Sequence, residues 1–219
     1  MSASSLLSPL AWLAGNRHDE AVRNLHDYMT TYTGRFFERF AEQSDPNRFE
    51  ATDIVAVSCL GVDVPPAVSA WLLLEEDGQS LCSGLLEQIG GSPDCNLRTF
   101  DLATDAAANT LWDELDGRWG MGPTTVSKLL AAKRPHLMPI YDTYVAGALL
   151  PETSRRSEWW EPWQALMRGA DGDELTAAVE SVRADAYAGG AKVMHLSVLR
   201  IIDIVVWRAE EQKRRAHAG

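Results

Sequence analysis

Cysteine is scarce. Three residues, Cys59, Cys82 and Cys95, are odd in number, widely spaced and in no C-x-x-C arrangement. That excludes a disulfide framework and the ligand spacing of a zinc site or an iron–sulfur cluster. His136 and His195 have no partner at metal-ligand spacing, so no metal is expected. Nor is there an uninterrupted apolar run of the roughly 18 residues a membrane span needs. The best stretch, 193–207, is broken by His195, Arg200 and Asp203 and reads as a core helix, Arg200 and Asp203 neutralising each other one turn apart. The opening residues, Met1-Ser2-Ala3-Ser4-Ser5-Leu6-Leu7, lack the basic region and apolar run of a signal peptide. The expected location is the cytoplasm, with no membrane partner. A Walker loop, a dinucleotide fingerprint, H-E-x-x-H and a nucleophile elbow are also missing, so no redox or nucleotide cofactor is expected.

Positive charge is in short supply as well. Lys and Arg number 20 against 31 Asp and Glu, a net charge of −11, and such a chain is repelled by duplex DNA at long range. One window runs the other way. Residues 117–141 contain no Asp or Glu but carry Arg118, Lys128, Lys133 and Arg134. A phosphate-binding surface is expected there first.

What the sequence has is helical periodicity, and no run of strand alternation. Apolar spacing predicts helices over 16–30 with Asn16 as cap, continuing over 31–43 to the break at Ser44-Asp45-Pro46-Asn47. Another, capped by Thr52, ends at Gly61. Pro65 and Pro66 open the next, through Trp71 to residue 76, and a short one covers 80–89. Residues 90–104 are rich in Gly, Ser, Pro, Asp and Asn and are expected to separate two sub-lobes, 1–90 and 105–219, of a single helical domain. Helices then follow over 105–116, 123–133, 142–149, 158–168, 173–186 and 192–214. Trp159, Trp160 and Trp163 share a turn and are expected to anchor the core rather than stack on a ligand.

Between two of these helices stands Gly120-Met121-Gly122-Pro123-Thr124-Thr125. The glycines permit a tight turn, and Pro123 suits the first helical position. Free amides of Gly122, Thr124 and Thr125 would then point along the new helix axis, where unsatisfied donors and the helix dipole favour a phosphate. Lys128, one turn on, could add a point charge. The same residues also make an ordinary interhelical turn.

From Gly120 through Leu130, then Arg134-Pro135 and Pro139-Ile140-Tyr141-Asp142-Thr143-Tyr144-Val145, the chain resembles the helix-hairpin-helix DNA glycosylase superfamily. There a glycine-rich hairpin holds a DNA phosphate, often with a bound monovalent cation, and precedes an aspartate that stabilises the sugar cation or activates water. The resemblance implies an all-α, two-lobed helix-hairpin-helix fold, DNA contact at Gly120, Gly122, Thr124, Thr125 and Lys128, and Asp142 as the catalytic carboxylate. Where bifunctional members carry a Schiff-base lysine this chain has Thr124, so only monofunctional hydrolysis of an N-glycosidic bond is implied. A fixed carboxylate suits that chemistry because positive charge develops on the sugar. Asp142 is equally well placed to cap the helix that follows.

More of the chain resembles an uncharacterised bacterial family, through G-R-F-F-E-R-F (34–40), D-I-V-A-V-S (53–58), K-R-P (133–135) and D-I-V-V-W (203–207). That likeness implies no activity. Three functions stay open: a glycosylase-like enzyme with weak, salt-sensitive DNA affinity, a non-catalytic nucleic-acid-binding module, and an enzyme acting on a small nucleoside or nucleotide.

Overall fold

The computed structural model describes residues 9–90, 95–149 and 156–218, and the opening residues 1–7 read above lie outside them. Those residues form helices and no strand. In chain order they are α1 (Leu10–Leu13), α2 (His18–Thr31), α3 (Phe37–Ala41), α4 (Ala51–Cys59), α5 (Pro66–Leu73), α6 (Glu76–Gln88), α7 (Ala106–Asp116), α8 (Pro123–Lys133), α9 (Thr143–Leu149), α10 (Arg156–Met167), α11 (Gly169–Ala188) and α12 (Val198–Ala218). Short 3₁₀ turns occupy Gly15–Arg17 and Thr33–Phe36. The expected all-α class is what forms.

The chain divides into two compact units, one made of residues 1–32 and 141–219, the other of 33–140. The boundary therefore falls at 32/33 and 140/141, not in the stretch 90–104. Residues 91–94 of that stretch lie outside the described part. The remainder is tied into the second unit: Leu97 and Leu102 are buried, and the Leu97 N–H donates to the His136 carbonyl at 3.1 Å. Two buried leucines outweigh a loop-like composition. The continuous helix expected over 31–43 is likewise broken where the units meet in sequence, because Tyr32 is extended (φ −89°, ψ 145°).

In the first unit α2, α9 and α11 pack on α12, α10 packs on α11, and α1 touches α2, α11 and α12. Its core holds Ile201, Ile202, Val205, Leu175, Val179 and all three of Trp159, Trp160 and Trp163. Arg200 is buried with Asp203, to which it donates, and also donates to the Tyr28 hydroxyl at 2.8 Å. The pair thus neutralises itself inside the unit.

In the second unit α8 packs on α3, α4 and α7, while α6 lies against α5 and α7. Every residue of α8 from Thr125 to Lys133 is buried. A helix buried on all sides is a core helix, and its polar residues must find partners inside the protein. The helix α4 begins one residue earlier than the expected Thr52 cap. Glu50 is its N-cap, in a capping box with Asp53, which accepts from the Glu50 amide at 2.7 Å.

Candidate functional site

The connection between α7 and α8 is built from a hydrogen-bonded turn. The Met121 N–H donates to the Arg118 carbonyl at 3.0 Å, with Trp119 and Gly120 as the two central residues. Gly120 has φ +80°, the conformation a type II turn requires at its third position. A Cβ there would also stand 2.9 Å from Pro65 Cγ. Gly122 then extends (φ −161°, ψ 171°) as N-cap of α8, and its carbonyl accepts the Val126 N–H at 3.0 Å.

This leaves the amides of Gly122, Thr124 and Thr125 with no protein acceptor among the described residues. Gly120 and Pro123 are exposed, Gly122 and Thr124 half-buried, and Thr125 buried. Free donors, a dipole end and an absence of side-chain capping make this a place where an anion is favoured.

The cations of the window are another matter. Lys128 is 5% exposed, and its Nζ donates to the Leu60 carbonyl at 2.9 Å. Leu60 is the C-cap of α4, so the ammonium serves the negative end of that helix rather than a phosphate at the turn. Arg134 is 1% exposed and does the same for α6. It donates to the Leu86 carbonyl and, at 3.4 Å, to that of Ile89, the C-cap of α6. It also grips the preceding loop through the Pro46 carbonyl (2.7 Å) and Asn47 Oδ1 (2.7 Å).

Lys133 is paired with Asp53 at 2.5 Å, and neither side chain has any exposed surface. Its Nζ also reaches Ser44 Oγ (2.5 Å) and the Asp45 carbonyl (2.9 Å). Burial pushes the Asp53 carboxyl up and the Lys133 ammonium down, each partly offset by its partner's charge. Arg118 stacks over the Trp71 ring, 3.1 Å from its centroid, with Glu114 at 4.0 Å. The basic window of the sequence is not a basic surface.

Asp142 belongs to the other unit. Its Oδ1 accepts the Tyr144 N–H at 2.8 Å and its carbonyl accepts the Ala146 N–H at 2.7 Å, so it caps α9. The carboxyl is half-buried. On the same turn the Tyr144 ring stacks on Trp207 (6.4 Å, 15°), and the Arg214 guanidinium lies 4.0 Å over Tyr144. Among the described residues no group of three His, Cys, Asp or Glu side chains stands where it could hold a metal ion, and no helix is long and apolar enough to cross a membrane.

Two features escaped sequence reasoning. The partner of Lys133 lies eighty positions away (133 against 53), with no local signal to announce it. Trp119, at the apex of the turn, is 89% exposed, whereas the tryptophans that drew attention in the sequence are buried. Its position beside Gly120 was the available cue.

A family model described as a family of unknown function, DUF6308, matches residues 21–210. No curated protein and no solved structure matches the chain.

Proposed function

For a chain that belongs to DUF6308, a family of unknown function, we propose a DNA glycosylase-like helix-hairpin-helix protein that binds a DNA phosphate through the turn between α7 and α8. The observation that supports this is the set of acceptor-free amides at Gly122, Thr124 and Thr125, beside a turn whose Gly120 and Pro123 are exposed. Asp142 is the carboxylate for monofunctional base removal. Its capping bond fixes the side chain, and a fixed carboxylate stabilises developing positive charge on a sugar better than a mobile one. A monovalent cation at the turn would share the phosphate with the amides.

A second reading rests on the burial of Lys128, Lys133 and Arg134. Duplex affinity grows with the number of phosphates neutralised by exposed Lys and Arg, and these three contribute none. A single phosphate needs only the amides. The turn would then serve a small nucleotide, or a nucleic acid held weakly.

Gly122→Val tests the turn directly. The position is extended and a Cβ there meets nothing within 4 Å, so the fold tolerates valine while its branches crowd the amides. Titration at low salt with a duplex oligonucleotide and with a mononucleotide should show weaker binding by the variant. Equal binding by both proteins refutes the turn as phosphate site. Base release from lesion-bearing duplexes, measured for wild type and Asp142→Asn, tests the chemistry. Asparagine keeps the cap and loses the charge, so activity that survives in Asp142→Asn removes the catalytic reading.

A further inference from the structure

No other large hydrophobic side chain among the described residues is as exposed as Trp119. Its posture is set from both sides. The turn that carries it is closed by the Met121–Arg118 hydrogen bond, and Pro65 backs Gly120. The preceding Arg118 is laid flat on Trp71, and Trp71 is pressed so closely on Gly78 of α6 that a Cβ there would come within 2.2 Å of the Trp71 carbonyl. An indole in open water on a rigid turn loses little freedom when something packs on it.

Trp119 forms one wall of a depression of about 490 Å³ whose other lining is Ala67, Val68, Asp113, Glu114, Gly117 and Arg118. Its charge is lopsided. Its acids, Asp113 and Glu114, stand in the last turn of α7, which holds no basic residue. Carboxylates at a helix C-terminus face the negative end of the dipole, the unfavourable end for them. Arg118, following that turn, is spread over Trp71, with only a 4.0 Å approach to Glu114. An apolar floor, an exposed indole and acids at the wrong end of a helix suit a cation with an aliphatic stem.

We propose that this groove docks a basic segment of a partner protein, an arginine or lysine side chain lying over Trp119 while Asp113 and Glu114, which line the groove, face its charge. The site goes beyond the nucleic-acid reading and does not depend on it. Charge complementarity selects the partner: the chain is acidic overall, the groove is acidic locally, and the nearest cation is already engaged.

Fluorescence anisotropy of a labelled short arginine-rich peptide, titrated with the full chain at moderate salt, tests this. A glutamate-rich peptide and a single-stranded oligonucleotide serve as controls. Because Trp119 is exposed, its replacement leaves the fold intact, which a melting curve checks. Trp119→Ala should weaken the arginine-rich peptide about three- to tenfold while Trp119→Tyr stays close to wild type, since cation–π stacking needs the ring. Glu114→Gln should weaken it too, and Gly122→Val should not. Equal binding by wild type and Trp119→Ala overturns the proposal. So does Trp119-dependent binding of the oligonucleotide, or self-association of the chain that Trp119→Ala abolishes.

Discussion

Replacing Lys133 by methionine should destabilise the protein by about 3–5 kcal/mol near neutral pH, because it strands a charge in a site with no exposed surface. With the ammonium gone, Asp53 keeps only the Ser44 hydroxyl (2.8 Å) and the Glu50 amide (2.7 Å). Asp53→Leu should do comparable damage from the other side, leaving Lys133 with Ser44 Oγ and the Asp45 carbonyl, both neutral. The double variant carries no buried charge and should lose only about 1–2 kcal/mol, largely the capping bond to Glu50. For a chain of 219 residues, each kcal/mol moves the melting temperature by about 2–4 °C. The single variants should therefore melt about 6–20 °C low, with the double variant clearly above both. Burial already raises the Asp53 carboxyl, and removing Lys133 raises it further. A carboxyl whose folded pKa exceeds its unfolded value gives stability that is present at low pH and lost as pH climbs through the folded pKa. The deficit of Lys133→Met should thus be small near pH 4 and grow toward neutrality. Urea denaturation of the four proteins across that range is the assay. A double variant as unstable as the sum of the singles, or a pH-independent deficit, refutes the coupling.

Gly120→Val should cost about 1–2 kcal/mol or more, since it meets both a left-handed backbone and Pro65 at 2.9 Å. Calorimetry checks it, and a loss below that of an ordinary surface substitution would deny the turn its strain. Burial pushes the Cys82 thiol to about 12 from an ordinary 9.0. That thiol should therefore cost the protein roughly 1.4 kcal/mol per pH unit as pH rises above 9, a contribution that Cys82→Ala removes from the slope of alkaline denaturation, to which Tyr32, Cys59 and Cys95, also raised by burial, add. Native Cys82 should also resist alkylation at pH 8 by mass spectrometry. Asp142→Ala should destabilise by about 1 kcal/mol through the lost cap of α9, and Asp142→Asn by much less. Equal losses in the two variants would show that the cap is not what the carboxyl contributes.

The helical class, most of the helices and the turn at Gly120-Met121-Gly122-Pro123 were legible in the sequence because they are local. Spacing of apolar residues sets a helix face, glycine permits φ +80°, and a proline marks the first helical turn at both Pro66 and Pro123. The cap at Asp142 was equally open to reading, since capping involves residues only two positions apart. Tertiary structure decided where charge goes. Lys128, Lys133 and Arg134 look like a basic strip because no acid stands near them in sequence. Yet α8 runs through a core, so each must find an acceptor there: the ends of α4 and α6, and Asp53. It also decided the two units, by burying Leu97 and Leu102 from a stretch whose composition reads as a linker and extending Tyr32 within a stretch that reads as helix. Periodicity is a property of neighbours along the chain. Desolvation is a property of whatever packs around a residue, and that is fixed only when distant segments meet.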